Sequence, residues 1–115
     1  MILGVHAMVY TPKADATRAF LRDKLGLKGF DVGGGWLIFD LPGEVGCHPE
    51  KKKFHELSFY CDDIGKTVKQ LKKKGVKFTM PVEDHGYGLV TYFKLPDGQK
   101  VQLYQARYKK PARKR

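Results

Sequence analysis

Strand-like and helix-like patterns follow one another in the same order twice along the chain. The first half begins with the β-rich segment ILGVHAMVYT, after which Thr11 and Pro12 are typical of the start of a helix. Apolar residues then recur four apart until Gly26, which predicts a helix over 12–25. Three further strands are predicted at LKGFDV, WLIFDL and EVGCH, separated by turns that contain glycine. The first half is therefore predicted as β-α-β-β-β.

The second half repeats this order. The segment FHELSFYC is predicted as a strand, and Asp62 and Asp63 are predicted to cap a helix over 63–74 that Gly75 ends. The apolar residues of this helix follow the i, i+4, i+7 spacing of an amphipathic helix. The strands VKFTMPV, LVTYFKL and KVQLYQARY follow, with EDHGYG as a loop and PDGQ as a turn.

Together the two halves indicate a single α+β domain made of two βαβββ modules. We expect the domain to span residues 1–108, with modules at 1–49 and 54–108 joined by the segment PEKKK, and a basic tail at 109–115. Each helix should cover one face of its sheet, because an amphipathic helix buries its apolar side there. The other face of each sheet is left open for a site.

Alternation along the predicted strands places three histidines on the open face. Successive residues of a strand point to opposite faces, so a shift of one residue would turn every one of them away. In the first strand Ala7 and Val9 suit the helix-covered face, which leaves His6 for the open face. His85, in the EDHGYG loop, is predicted to be a solvent-facing turn residue. The predicted open-face set comprises His6, Met8, Tyr10, Glu44, Gly46, His48, His55, Leu57, Phe59, Lys100, Gln102 and Tyr104.

Charge and composition narrow the range of partners. The net charge is +10, and five of the basic residues lie in the tail KKPARKR, where no aromatic residue is interleaved. We therefore favour a solvated basic surface over a nucleic-acid site. No apolar run approaches the roughly 18 residues that a membrane span needs, and the N-terminal segment lacks a basic region and a cleavage site, so a soluble cytoplasmic protein is expected. Cys47 and Cys61 are expected to be reduced in that compartment.

Several segments resemble one protein superfamily. The paired βαβββ modules, a histidine on the first strand of each half and the closing segment LPDGQKVQLYQ are similar to the vicinal oxygen chelate superfamily, which contains glyoxalases, extradiol dioxygenases and bleomycin-resistance proteins. The segments HELSFYCDD and GYGLVTYFKLPDG resemble those of its small bacterial members, and the resemblance extends over residues 2–108. It implies that the two modules form a cup-shaped mixed sheet.

The resemblance also implies a metal site. In that superfamily, two first-strand histidines and a carboxylate from the last strand of each half hold a divalent metal. The matching positions here are His6, His55, Gly46 and Gln102. Glycine offers no ligand atom and Gln102 offers only a neutral oxygen, so we expect His48, two residues beyond Gly46, to complete the site.

Such a nitrogen-rich set favours a divalent transition metal, namely zinc, nickel, cobalt or iron(II), over magnesium or calcium. Glu44 is a less favoured replacement for the missing carboxylate. Tyr104 is predicted to act as an acid or hydrogen-bond donor in catalysis, with a packed aromatic residue as the alternative. The alternative for the whole site is a metal-free cup in which the histidines hydrogen-bond to a ligand or to water.

Two functions follow from the resemblance. The favoured one is metal-dependent lyase, isomerase or dioxygenase chemistry, in which the metal chelates vicinal oxygens of a small substrate. The missing glutamates count against ordinary glyoxalase chemistry and leave the extradiol pattern incomplete. The other function is metal-free binding of a small molecule, as in the bleomycin-resistance proteins. Aromatic walls would then come from residues that are mostly expected in the core, namely Trp36, Phe39, Phe59, Tyr92 and Phe93.

Net charge and module size predict the kind of ligand and the oligomeric state. The basic net charge favours an anionic small molecule. A homodimer is expected, because each module is too small to close a cup and would leave sheet edges exposed.

Overall fold

Two compact units make up the chain, Met1–His55 and Glu56–Arg115. The computed structural model describes residues 6–43, 49, 51 and 54–107. Each unit combines helix and strand, so the predicted α+β class is confirmed. Within these described residues, none of the helices has the length and apolar character needed to cross a bilayer.

Some predicted features lie outside the described residues. These are the beginning of the first strand, the fourth strand EVGCH with His48, and the basic tail at 109–115.

The first unit contains one helix and one hairpin. Helix α1 spans Ala14–Ala19 and continues as a π-helical segment, Phe20–Lys24. Strands β1 (Gly29–Asp31) and β2 (Leu37–Phe39) pair antiparallel. The turn between them contains three consecutive glycines at positive φ, a conformation that a residue with a Cβ rarely adopts.

Two predictions for the first unit need correction. The helix predicted at 12–25 begins later, because Lys13 donates its backbone N–H to Thr11 Oγ1 (3.1 Å) in a turn, and regular helix starts at Ala14. The predicted first strand is wrong where it is described: residues 6–10 have no regular secondary structure. In the described part of the chain no strand pairs with them, and an unpaired strand is not stable by itself.

The second unit has the predicted βαβββ order. Its elements are β3 (Ser58–Tyr60), α2 (Ile64–Lys73), β4 (Glu83–Asp84), β5 (Gly88–Lys94) and β6 (Lys100–Ala106). The strands lie in the order β3-β6-β5-β4, with β3 parallel to β6 and the other pairs antiparallel.

Helix α2 begins and ends where the sequence predicts. The Asp63 carboxylate accepts a hydrogen bond from the backbone N–H of Lys66 (3.1 Å), which satisfies a donor of the first turn. Gly75 follows the helix at a φ of 86°, in the left-handed conformation that commonly ends helices.

The strand predicted at VKFTMPV is wrong in extent. Only Phe78 forms a bridge, with Phe93 of β5, and β4 begins at Glu83 inside the predicted loop. Pro81 interrupts the segment, because proline has no N–H to donate to a ladder.

The core of the second unit lies between α2 and the sheet. The backbone N–H of Ile64 donates to Gln105 Oε1 (2.9 Å), which identifies the β6 face that α2 covers. Alternation and ladder register assign Thr91, Phe93, Val101 and Leu103 to this face, and all four are buried. Each large apolar side chain buried there stabilises the unit by roughly 1.5–3 kcal/mol.

Candidate functional site

The sheet face opposite α2 carries polar and aromatic side chains that we call the tyrosine face. Residues directly opposite each other in a ladder share a face, and Ser58 and Tyr92 both lie opposite Gln102. Tyr60 lies opposite Tyr104, two residues further along both strands. We define the tyrosine face by Glu56, Ser58, Tyr60, Tyr87, Tyr92, Gln102 and Tyr104; the ladder register also places Val90, Lys94 and Lys100 on this side of the sheet.

Gln102 is the hydrogen-bonding centre of the tyrosine face. The residue is only 6% exposed. Its Oε1 accepts a hydrogen bond from Ser58 Oγ (2.8 Å), and its Nε2 donates to the Tyr92 hydroxyl (3.1 Å). Nε2 also lies 3.5 Å from the hydroxyl oxygen of Tyr87, at the long limit of a hydrogen bond. Because both ends of the amide are held, Gln102 is fixed in one orientation.

Tyr92 connects this amide to a carboxylate. Its hydroxyl accepts from Gln102 and donates to Glu56 Oε2 (3.2 Å). Burial raises the pKa of Tyr92, the hydrogen bond from Gln102 opposes that rise, and the negative charge of Glu56 adds to it. Tyr92 therefore remains a neutral donor at neutral pH, and the exposed Glu56 presents its carboxylate beside it.

Aromatic rings border the polar centre. The ring of Tyr104 lies 6.3 Å from that of Tyr87 and 6.1 Å from that of Tyr60, measured between centroids. Tyr104 is buried (8% exposed), whereas Tyr60 and Tyr87 are 42% and 49% exposed. The ring of His85 meets Tyr87 edge-on at 6.3 Å. The result is a buried ring flanked by two accessible ones, each able to contact a flat ligand.

The predicted site residues are distributed over the two units. Gln102 and Tyr104 lie on one face of β6, as predicted. His6 and His55 are exposed and belong to the first unit, and His48 lies outside the described residues. The proposed four-residue metal set therefore stays a prediction.

The face assigned to the strand at FHELSFYC is wrong by one residue. Leu57 and Phe59 were expected on the open face, but Phe59 lies opposite Leu103 on the face that α2 covers. The rings of Phe59 and Phe93 stack there at 6.4 Å. Ser58, on the opposite side of β3, hydrogen-bonds to the open-face amide instead.

Glu56, Ser58 and Tyr60 were consequently missed. A signal for them exists in the sequence, because the apolar residues Leu57 and Phe59 alternate with these polar ones. The apolar residues of a strand belong against the helix. The same criterion assigned His6 to the open face of the predicted first strand. No alternation pattern identifies Tyr87, because it lies in the loop before β5 and the path of that loop is set by the folded sheet.

Two single-residue predictions can also be compared with the structure. His85 is exposed, as predicted for a turn residue, and its Nε2 lies 3.2 Å from Glu83 Oε1. Trp36 belongs to the five aromatic residues of which most were expected in the core; it is 62% exposed, and the Arg18 guanidinium lies 5.6 Å above its ring. The cation stabilises the exposed ring where core packing is not available.

The donor atoms on the tyrosine face do not fit a transition metal. Across residues 6–43, 49, 51 and 54–107, no group of three or more histidine, cysteine, aspartate and glutamate side chains is arranged to hold one. The face itself offers one carboxylate, from Glu56, and the Gln102 oxygen that already accepts from Ser58. Zinc and its neighbours require several imidazole, thiolate or carboxylate ligands. What this face can do chemically is donate and accept hydrogen bonds beside aromatic rings.

The chain belongs to the Glyoxalase/Bleomycin resistance protein/Dioxygenase superfamily, because the model of that family matches residues 5–103. The predicted superfamily and its fold are thereby confirmed. Members of this superfamily bind small molecules, often use divalent metals and often form dimers. No curated protein matches the chain in sequence.

Solved structures with the same fold come from several bacteria. The antibiotic-binding protein TnmS3 from a Streptomyces species superposes with a TM-score of 0.66 at 19% identity, covering 91% of this chain and 99% of that one. A superfamily member from Sphaerobacter thermophilus gives 0.62 at 20% identity, with 91% and 97% covered. A lactoylglutathione lyase from Agrobacterium tumefaciens gives 0.61 at 17% identity, with 84% and 88% covered. At these identities the likeness establishes the fold alone.

Proposed function

We propose that this protein binds a small aromatic molecule on the tyrosine face directly, without a metal. The observation that carries the proposal is the fixed Gln102–Tyr92–Glu56 hydrogen-bond chain beside the accessible rings of Tyr60 and Tyr87. Small-molecule sites commonly combine aromatic walls with a few well-placed polar groups. This face has both features within one sheet.

The arrangement favours a ligand with a ring and a hydrogen-bond donor, such as a phenol or an aromatic amine. Ring contacts with Tyr60 and Tyr87 would supply roughly 0.5–1.5 kcal/mol each beyond the area buried. A hydroxyl or amino group on the ligand would donate to the Glu56 carboxylate, which is exposed. Because Glu56 is exposed, water can replace a missing donor, so this contact orients the ligand and adds only modest selectivity against analogues that lack the donor.

The fold is compatible with binding and with catalysis, because TnmS3 and a lactoylglutathione lyase both share it, so the proposal rests on the tyrosine face itself. TnmS3 is described as antibiotic-binding, and it shares the fold over nearly its whole length. The chelate mechanism remains the competing function, and it depends on His6, His48 and His55 as metal ligands together with Gln102. The two functions therefore differ in whether ligand binding needs the histidines and in whether a chelator abolishes it.

Nuclear magnetic resonance screening in the presence of EDTA tests the proposal. Phenols, aromatic amines and aromatic carboxylates are added to ¹⁵N-labelled protein, and the shifted amides are mapped. We expect shifts at Tyr60, Tyr92 and Tyr104 but not along α2. Tyr87→Ala should weaken binding about tenfold or more, whereas Gln70→Ala, on the exposed side of α2, should leave it unchanged. Absence of binding to every compound, or shifts confined to other residues, would contradict the proposal.

A further inference from the structure

Three lysines from three adjacent segments meet on one side of the second unit; we call Lys77, Lys94 and Lys100 the lysine row. Lys94 and Lys100 lie directly opposite each other where β5 and β6 approach their connecting turn. The backbone N–H of Lys94 donates to the carbonyl of Lys77 (3.1 Å). The bridge between Phe78 and Phe93 therefore puts Lys77 beside Lys94 on the same face.

Within the described residues, the lysine row concentrates positive charge without an ion-pair partner. Like charges directly opposite in an antiparallel pair destabilise the sheet. Among the described residues, no carboxylate oxygen lies within 4.0 Å of any of the three ammonium groups. The three side chains are exposed, so each can turn its ammonium group toward a common ligand.

A depression of about 370 Å³ lies between these lysines, with Phe78 and Thr79 completing its lining. That volume suits a small molecule. A single-stranded nucleic acid is a less suitable ligand, because its bases stack on exposed aromatic side chains. Phe78 does not provide one, since it is half-buried and packs edge-on against Phe93 at 5.9 Å.

We propose that the lysine row is an anion-binding site for a small molecule carrying a diphosphate or comparable polyanionic group. Three ammonium groups supply up to nine N–H donors, which match the many acceptor oxygens of such a group. Bound anion would also relieve the repulsion between Lys94 and Lys100. The site rests on its own observations and does not require a ligand on the tyrosine face.

Isothermal titration calorimetry with inorganic pyrophosphate at constant ionic strength tests the site. We expect saturable binding with one anion per chain. Lys94→Gln and Lys100→Gln should each weaken it about tenfold, because each removes charge-assisted hydrogen bonds. Lys69→Gln and Lys72→Gln, which remove the same charge from exposed positions of α2, serve as matched controls and should change the affinity less than twofold.

Thermal unfolding of the Lys94→Gln/Lys100→Gln variant provides a second readout. Without anion its Tm should equal or exceed that of the wild type, because repulsion is removed, and pyrophosphate should no longer raise it. Equal losses of affinity in the row variants and the α2 variants would overturn the proposal, as would the absence of saturable binding to the wild type. A third result would also overturn it: a single-stranded oligonucleotide binds more tightly than pyrophosphate, its affinity is unchanged by the Lys94 and Lys100 substitutions, and it no longer binds after removal of residues 109–115.

Discussion

The substitution Tyr92→Phe removes one hydroxyl group from the centre of the tyrosine face. That hydroxyl accepts the 3.1 Å hydrogen bond from Gln102 Nε2 and donates the 3.2 Å bond to Glu56. Because Gln102 is only 6% exposed, water has little access to replace the lost acceptor. The amide nitrogen would keep only its 3.5 Å contact with Tyr87.

The magnitude follows from these contacts. A buried polar group that loses its partner costs roughly 1–3 kcal/mol, and the exposed contact with Glu56 adds less. We therefore expect the free energy of unfolding to fall by about 1–2 kcal/mol in Tyr92→Phe. Tyr87→Phe is the matched control, because it removes a hydroxyl at the end of a half-exposed side chain, and it should change stability by less than about 0.5 kcal/mol. Urea denaturation followed by circular dichroism measures both values.

A double-mutant cycle separates the lost hydrogen bond from altered packing. If the unpaired amide is the cause, Gln102→Leu should cost less in the Tyr92→Phe background than in the wild type, with a coupling of about 0.5–3 kcal/mol. Similar small effects of Tyr92→Phe and Tyr87→Phe, together with no coupling, would refute the view that the Gln102 network organises this face.

Further predictions concern the buried core, the N-terminal cap of α2, the titration of Tyr92 and the oligomeric state. Phe93→Ala should lower the free energy of unfolding by about 3–5 kcal/mol in urea denaturation, since Phe93 is fully buried, whereas Phe30→Ala, at an exposed site, should cost far less. Asp63→Ala should cost about 1 kcal/mol through loss of the cap, and an equal cost for Asp62→Ala would contradict that assignment. Because the folded-state pKa of Tyr92 is raised, its contribution to stability is complete below the ordinary tyrosine pKa and is lost as pH rises through the raised value. Absorbance at 295 nm should show this late titration, and Tyr92→Phe should remove it. Light scattering should give twice the 13.1 kDa chain mass, and a monomer at micromolar concentration would rule out the expected dimer.

Sequence patterns predicted α2 and the β5–β6 hairpin of the second unit well because their signals are local. Asp63 caps α2, Gly75 ends it, and the strands around the PDGQ turn pair as an ordinary hairpin. Each of these features depends on neighbouring residues only, so its physical cause is visible in the sequence. The assignment of Gln102 and Tyr104 to one face followed from the same local alternation.

The composition of the site was harder to predict because it depends on register between distant strands. Counting from His55 gave the wrong face for β3, because Leu57 and Phe59, rather than His55, decide which side of this segment packs against the helix. The partners of Gln102 come from three separate segments, at Ser58, Tyr92 and Tyr87. Such convergence is a property of the folded sheet and leaves no spacing signal in the sequence.

Calorimetric titration of the best aromatic compound from the screen tests metal-free binding most directly. The compound is titrated into protein kept in EDTA and, separately, into protein saturated with zinc. We predict the same Kd in both conditions, and about tenfold weaker binding after Tyr87→Ala but not after His6→Ala or His55→Ala. Binding that requires zinc and is lost in the two histidine variants would contradict this prediction and support the chelate mechanism instead.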